Sequence, residues 1–147
     1  MSSDRAVDGR LSAARSGVCR APDASPRTLA AAAGFDVVTI SLSGVANKDA
    51  LLERFAAALA FPDWFGGNWD ALEDCLGDLS WREDRGRLLL IEGFESLAST
   101  ARDDFHILLD LLGDVAQHWS GLGCAFFAVF VDPQRRLELQ TWGDASA

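Results

Sequence analysis

Apolar and polar positions fall into two periods along this chain, and their alternation sets the expected order of elements. VVTISL, Val37 to Leu42, is a β-branched run closed by Ser43 and Gly44, so it reads as a strand. Asn47 then offers a helix N-cap, and Leu51, Leu52, Phe55, Ala58 and Leu59 recur at helical spacing up to Pro62. Beyond Gly66 and Gly67, Asn68 can cap a second helix running to about Leu79. RLLLIEG, Arg87 to Gly93, is a solid apolar block stopped by glycine, the pattern of a strand buried on both faces. A long helix is expected from roughly Ser99 to Trp119, with Phe105, Leu108, Leu109, Leu112, Val115 and Trp119 on one side. GLG breaks it, and AFFAVFV, Ala125 to Val131, forms a third strand. Asp132 and Pro133 follow, and LELQTW is expected to add a short edge strand. Strands separated by helices predict an α/β domain with a small, mainly parallel sheet over residues 35–147. Residues 1–34, rich in Ala, Ser, Arg and Gly and without a sustained period, are expected to be a disordered tail.

The second helix carries two contrasting faces. At about 100° per residue from Asp70, the positions of Leu72, Cys75, Leu76 and Leu79 fall between roughly 140° and 240°. Asp74 and Asp78 fall at about 40° and 80°, and Glu73 near −60°. Acids in a first turn complement the helix dipole, which accounts for Asp70. It does not account for Asp70 with Asp74, or Asp74 with Asp78. These are like charges four residues apart, each pair costing about 0.2–0.5 kcal/mol. No Lys or Arg appears between Arg54 and Arg82 to offset them. Trp64 and Phe65 precede the double glycine, and rigid aromatics beside an acidic stripe are a composition found on recognition surfaces. A docking surface for a cationic partner, a plain solvated face and a metal site all remain open on these grounds.

Charge narrows the partners. The formal net charge is −9, and five of the 13 basic residues lie in the first thirty positions, so the remainder is more acidic still. Such a field repels phosphate backbones and anionic lipid, which argues against direct nucleic-acid or membrane-surface binding. The three cysteines, Cys19, Cys75 and Cys124, are far apart and form no CxxC pair, which suits a reducing cytoplasm. No apolar run approaches the ~18 residues of a membrane span, and LAAAA is too short and weak for a signal peptide core.

His106, Asp110, Asp114 and His118 recur every fourth residue and could in principle ligate a metal, but a polar face opposite the leucines explains them without one. Cys75 points to the core, the histidines lie far from it in sequence, and no G-x-S-x-G occurs, so catalysis is not expected. Cys75 and Cys124 are expected to fill core space.

The block PDWFGGNWDALEDCLGDL resembles the signature of the barstar family, intracellular inhibitors of barnase-type ribonucleases. The likeness rests on P-x-aromatic-aromatic-G-x-N-x-D-A-L-x-D-C-L, Pro62 to Leu76, and extends more weakly over residues 35–131. It implies a two-layer α/β fold with a three-stranded parallel sheet, no cofactor, and a cytoplasmic immunity protein, monomeric when free, that plugs a secreted ribonuclease's active site before export. By that resemblance Asp74 is the central carboxylate entering the phosphate site and Asp70 meets a basic residue at its rim. Trp64 takes the place of an aromatic that stacks on a catalytic histidine, Gly66 keeps the loop close to the enzyme, and Asn68 contacts through its backbone or holds the loop's shape. Phe65, Gly67, Trp69 and Glu73 complete the expected contact surface. Gly67, Trp69 and Glu73 stand where one member of the family has Glu, Leu and Trp. The altered surround leaves a second expectation beside the first, a domain of the same fold binding another basic protein with no ribonuclease target.

Overall fold

A computed structural model describes residues 16–61, 66–78 and 86–142. In chain order the elements are β1 (Gly17–Ala21), α1 (Ser25–Ala32), β2 (Asp36–Ser41), α2 (Lys48–Leu59), α3 (Trp69–Gly77), β3 (Gly86–Glu92), α4 (Glu95–Thr100), α5 (Arg102–Gly121) and β4 (Ala125–Val131). All strand pairings are parallel and the spatial order is β1-β4-β3-β2. The expected three-stranded parallel sheet is therefore present as β2, β3 and β4, in register through Leu89 with Val38 and Ala128.

The alternation of a strand sends successive side chains to opposite faces. Leu89, Ile91, Phe126, Ala128 and Phe130 join Leu52, Phe55, Leu72, Leu76, Leu108 and Leu112 in the larger core, beneath α2 to α5. Leu88, Leu90, Phe127 and Val129 face the other way, where Ala30 of α1, with Phe35 and Trp142, covers them. Crossover chirality explains the division. Moving from β2 to β3 to β4 the chain advances one way across the sheet, whereas β1 to β2 runs the opposite way. Right-handed connections then place α1 on the face away from the other helices.

Three differences from the sequence reading stand out. Residues 17–32, expected in a disordered tail, form β1 and α1. They bury small residues, Ala21 and Ala30, whose period is weak, and β1 finds its partner more than a hundred residues away in β4. Residues 1–15 lie outside the described residues. The single long helix is two, α4 and α5, because Ala101 leaves helical geometry at φ −132° and ψ 62°. The third helix stops at Gly77, with Asp78 as its C-cap. The expected C-terminal edge segment is present and docks by a parallel bridge, Thr141 to Arg20, with Arg20 N–H donating to Gln140 O and Trp142 N–H to Arg20 O.

A buried ion pair fastens this edge. Arg20 and Asp132 are 3% and 0% exposed, and Arg20 Nε donates to Asp132 Oδ2 at 3.2 Å. Its guanidinium also donates to the Asp132 carbonyl and to Thr141 Oγ1, while the N–H groups of Arg136 and Leu137 donate to the Asp132 carboxylate at 2.9 Å each. Burial alone would raise the Asp132 carboxyl. These backbone donors and the Arg20 guanidinium outweigh it and hold the group below its ordinary value. Among the described residues no helix is long and apolar enough to cross a membrane.

Candidate functional site

The acidic helix α3 begins where two residues prepare it. Gly67 sits at φ +70° with nothing within 4 Å of where a Cβ would stand, so backbone conformation and not space favours glycine there. Asn68 is extended, at φ −135° and ψ 172°, and its Oδ1 accepts from Ala71 N–H at 2.7 Å, the N-cap that the sequence suggests. Asp70 occupies the first turn.

Packing fixes the helix's rotation. Leu72 and Leu76 are fully buried and Cys75 nearly so, which sends Asp70, Glu73, Asp74 and Asp78 outward. Trp119 Nε1 of α5 donates to the Leu76 carbonyl at 3.0 Å and ties the second half of α3 to the long helix. Burial raises the Cys75 thiol, and the charges of Asp74 and Asp78 raise it further, so the thiol stays protonated and unreactive near neutral pH.

Between α3 and α5 runs a groove of about 560 Å³. Glu73, Asp74 and Asp78 form one wall, Asp114 and His118 the other, with Gly77 and Val115 between. Among the described residues the ion pairs join Arg20 to Asp132 and Arg87 to Asp36, and none reaches α3. The carboxylates therefore present negative charge with no cation paired to them among the described residues, from a helix whose position the core determines.

Of the residues singled out in the sequence, Gly66, Gly67, Asn68, Asp70, Glu73 and Asp74 are exposed along one edge. Trp69 is half-buried and packs against the larger core, so part of its ring is committed to the fold. Trp64 and Phe65 lie outside the described residues. In the sequence Asp114 and His118 belong to a possible metal face, and by the family resemblance both lie near a partner contact late in the long helix, without either being assigned to it. Their four-residue spacing was the available signal, but the groove they complete depends on how α3 crosses α5. His106 and Asp110 line a neighbouring groove with Val18 and Leu139, and no group of three or more metal-ligating side chains gathers among the described residues. Cys124, expected in the core, is exposed, whereas Cys19 is buried and its thiol is pushed up to about 12 by burial.

The family model described as Barstar (barnase inhibitor) matches residues 35–131. That span runs from just before β2 to the end of β4 and contains α3 whole. No curated protein matches the chain.

Proposed function

Because the chain belongs to the barstar family, we propose that it inhibits a basic barnase-like ribonuclease, or a ribonuclease toxin domain, by seating α3 and the loop before it in the enzyme's cationic cleft. One observation carries this reading: Asp70, Glu73 and Asp74 stand exposed on a core-anchored helix with no cation paired to them among the described residues. A ribonuclease stabilises a phosphate-centred transition state with Arg, Lys and His, so its empty site attracts carboxylates placed where phosphate oxygens would lie. Asp74 takes the central position, Asp70 the rim, and Gly66, Gly67 and Asn68 shape the approach. Trp64 and Phe65 supply aromatic contact, and Glu73 meets an additional base on the enzyme. The protein acts in the cytoplasm of the cell that makes the ribonuclease, with no cofactor, no direct nucleic-acid contact and no membrane.

The test is RNA hydrolysis by a panel of barnase-type ribonucleases with increasing amounts of the purified chain, together with co-expression beside a toxic one. Stoichiometric inhibition and protection are expected. Failure against every enzyme would leave the second reading, a domain that binds another basic protein. The departures at Gly67, Trp69 and Glu73 favour that reading, since a half-buried Trp69 changes the shape of the rim.

A further inference from the structure

The last turn of α3 receives little support from its own residues. A helix ends in carbonyls that have no donor further along it, and its C-terminal end carries partial negative charge. A cation in that turn relieves both deficits, yet no basic residue stands in the last turn of α3. Glu73, Asp74 and Asp78 lie exposed there instead, with Asp74 and Asp78 at the four-residue spacing at which like charges repel. Asp78 N–H closes on the Asp74 carbonyl at 3.0 Å. The Leu76 carbonyl is met from outside the helix, by Trp119 Nε1 at 3.0 Å.

Trp119 is a well-held donor. Its own carbonyl accepts from the N–H groups of Leu122 and Cys124 at 2.9 Å each, immediately before β4 begins at Ala125. Its ring packs against the larger core and meets His118 edge-on, with centroids 5.3 Å apart. The end of α3 is thereby tied to the start of a central strand.

We infer that Trp119 is the positioning residue of the recognition helix, an uncharged cap that holds the last turn of α3, and Asp74 with it, while leaving the helix's negative charge to the partner. The role rests on the docking function proposed for α3. A Lys or Arg closing the same carbonyl would also pair with Asp74 or Asp78 and cancel the field that draws in a basic enzyme. An indole donates one N–H and carries no charge, so capping does not compete with docking. Loss of that N–H exposes the turn to the mutual repulsion of its carboxylates, and removal of one of those charges restores it.

The test uses the full chain and amide hydrogen exchange near neutral pH. Trp119→Phe keeps an aromatic ring and deletes the N–H. It is expected to speed exchange at Leu76, Gly77 and Asp78 about three- to tenfold more than at Leu89 and Leu90 in β3, since the lost bond supports the helix end and not the sheet. Adding Asp78→Asn, measured against Asp78→Asn alone, is expected to shrink that excess to about twofold. Equal acceleration in α3 and β3, or an excess that Asp78→Asn leaves unchanged, would mark an ordinary packing residue and overturn the inference. Should Trp119→Phe not fold, the wild type decides. Its Trp119 indole proton is expected to exchange at least about tenfold more slowly than free indole, and a rate near the free value removes the cap.

Ribonuclease inhibition is read separately. On an inhibited enzyme, Trp119→Phe should quicken dissociation about three- to tenfold and leave association, which the unchanged charge governs, within about twofold. Unaltered dissociation denies Trp119 its positioning role. If no ribonuclease is inhibited while exchange follows the expected pattern, the ribonuclease reading falls and the cap stands.

Discussion

Asp74 and Leu76 are two residues apart on one helix and face opposite worlds, so their truncations should separate recognition from folding. Leu76 is fully buried, and Leu76→Ala is expected to cost about 2–5 kcal/mol in denaturant unfolding, since it removes core contacts and leaves a void. Asp74 is exposed, so Asp74→Ala should leave the melting temperature near that of wild type. It should also speed dissociation from an inhibited ribonuclease by on the order of a hundredfold, because the enzyme's cations are left buried without a counter-charge. An unchanged dissociation rate would remove Asp74 from the centre of the interface. The outward direction of Asp70, Glu73 and Asp74 was legible in the sequence because a helix repeats every 3.6 residues or so and the leucines fix its inner side. The half-burial of Trp69 was not. It sits at the boundary of the two faces, where a large ring reaches core or solvent according to neighbours on other elements.

At the scale of elements, α2 ends in an unusual way. Ala60 takes a left-handed conformation at φ 54° and closes the helix by donating its N–H to the Ala56 carbonyl. This costs a residue with a Cβ about 1 kcal/mol that glycine does not incur. Ala60→Gly is therefore expected to raise stability by about 0.5–1 kcal/mol, read as a higher urea midpoint with an unchanged slope. A lower midpoint would show that flexibility gained by the unfolded chain outweighs the relief.

The elements legible from sequence were those whose own residues determine them. β3 and β4 are dense apolar runs, β2 is rich in β-branched residues, and α2 and α3 are announced by Asn47 and Asn68, whose side chains accept from Ala50 and Ala71 as expected. β1 and α1 were illegible because alanine carries little hydrophobic signal and β1 gains its partner only through the finished sheet. The break at Ala101 was equally hidden, since alanine is the best helix former and local preference argues against stopping there.

For the whole molecule, charge and the buried pair set two expectations. A strongly acidic body meeting a basic enzyme should associate faster at low salt, and the rate should fall as ionic strength approaches about 0.15 M. A flat rate would mean that the groove's field does not guide encounter. Asp132 contributes to the acid sensitivity of stability. Its carboxyl titrates lower in the folded protein than in an unfolded chain, so its contribution is complete above the ordinary aspartate range near about pH 3.9. That contribution is lost as pH falls through the lower folded value. Asp132→Asn leaves Arg20 buried without its counter-ion and should cost about 3–5 kcal/mol near neutral pH. It should also flatten the fall in stability between about pH 4 and 2.

The partnership of β1 with β4 also dictates a timetable. A chain made from its N-terminus exposes Gly17–Ala21 early, yet the strand that receives it is completed only at Val131, and the residues that lock Arg20 in place come later still, at Asp132 and Thr141. While the chain grows on the ribosome, β2, α2 and α3 emerge long before the outer edge of the sheet can form. A chain cut short before Asp132 would carry the acidic helix on a molecule whose first strand lacks the residues that lock Arg20, so the segment from Asp132 to Thr141 decides how firmly Gly17–Ala21 is held.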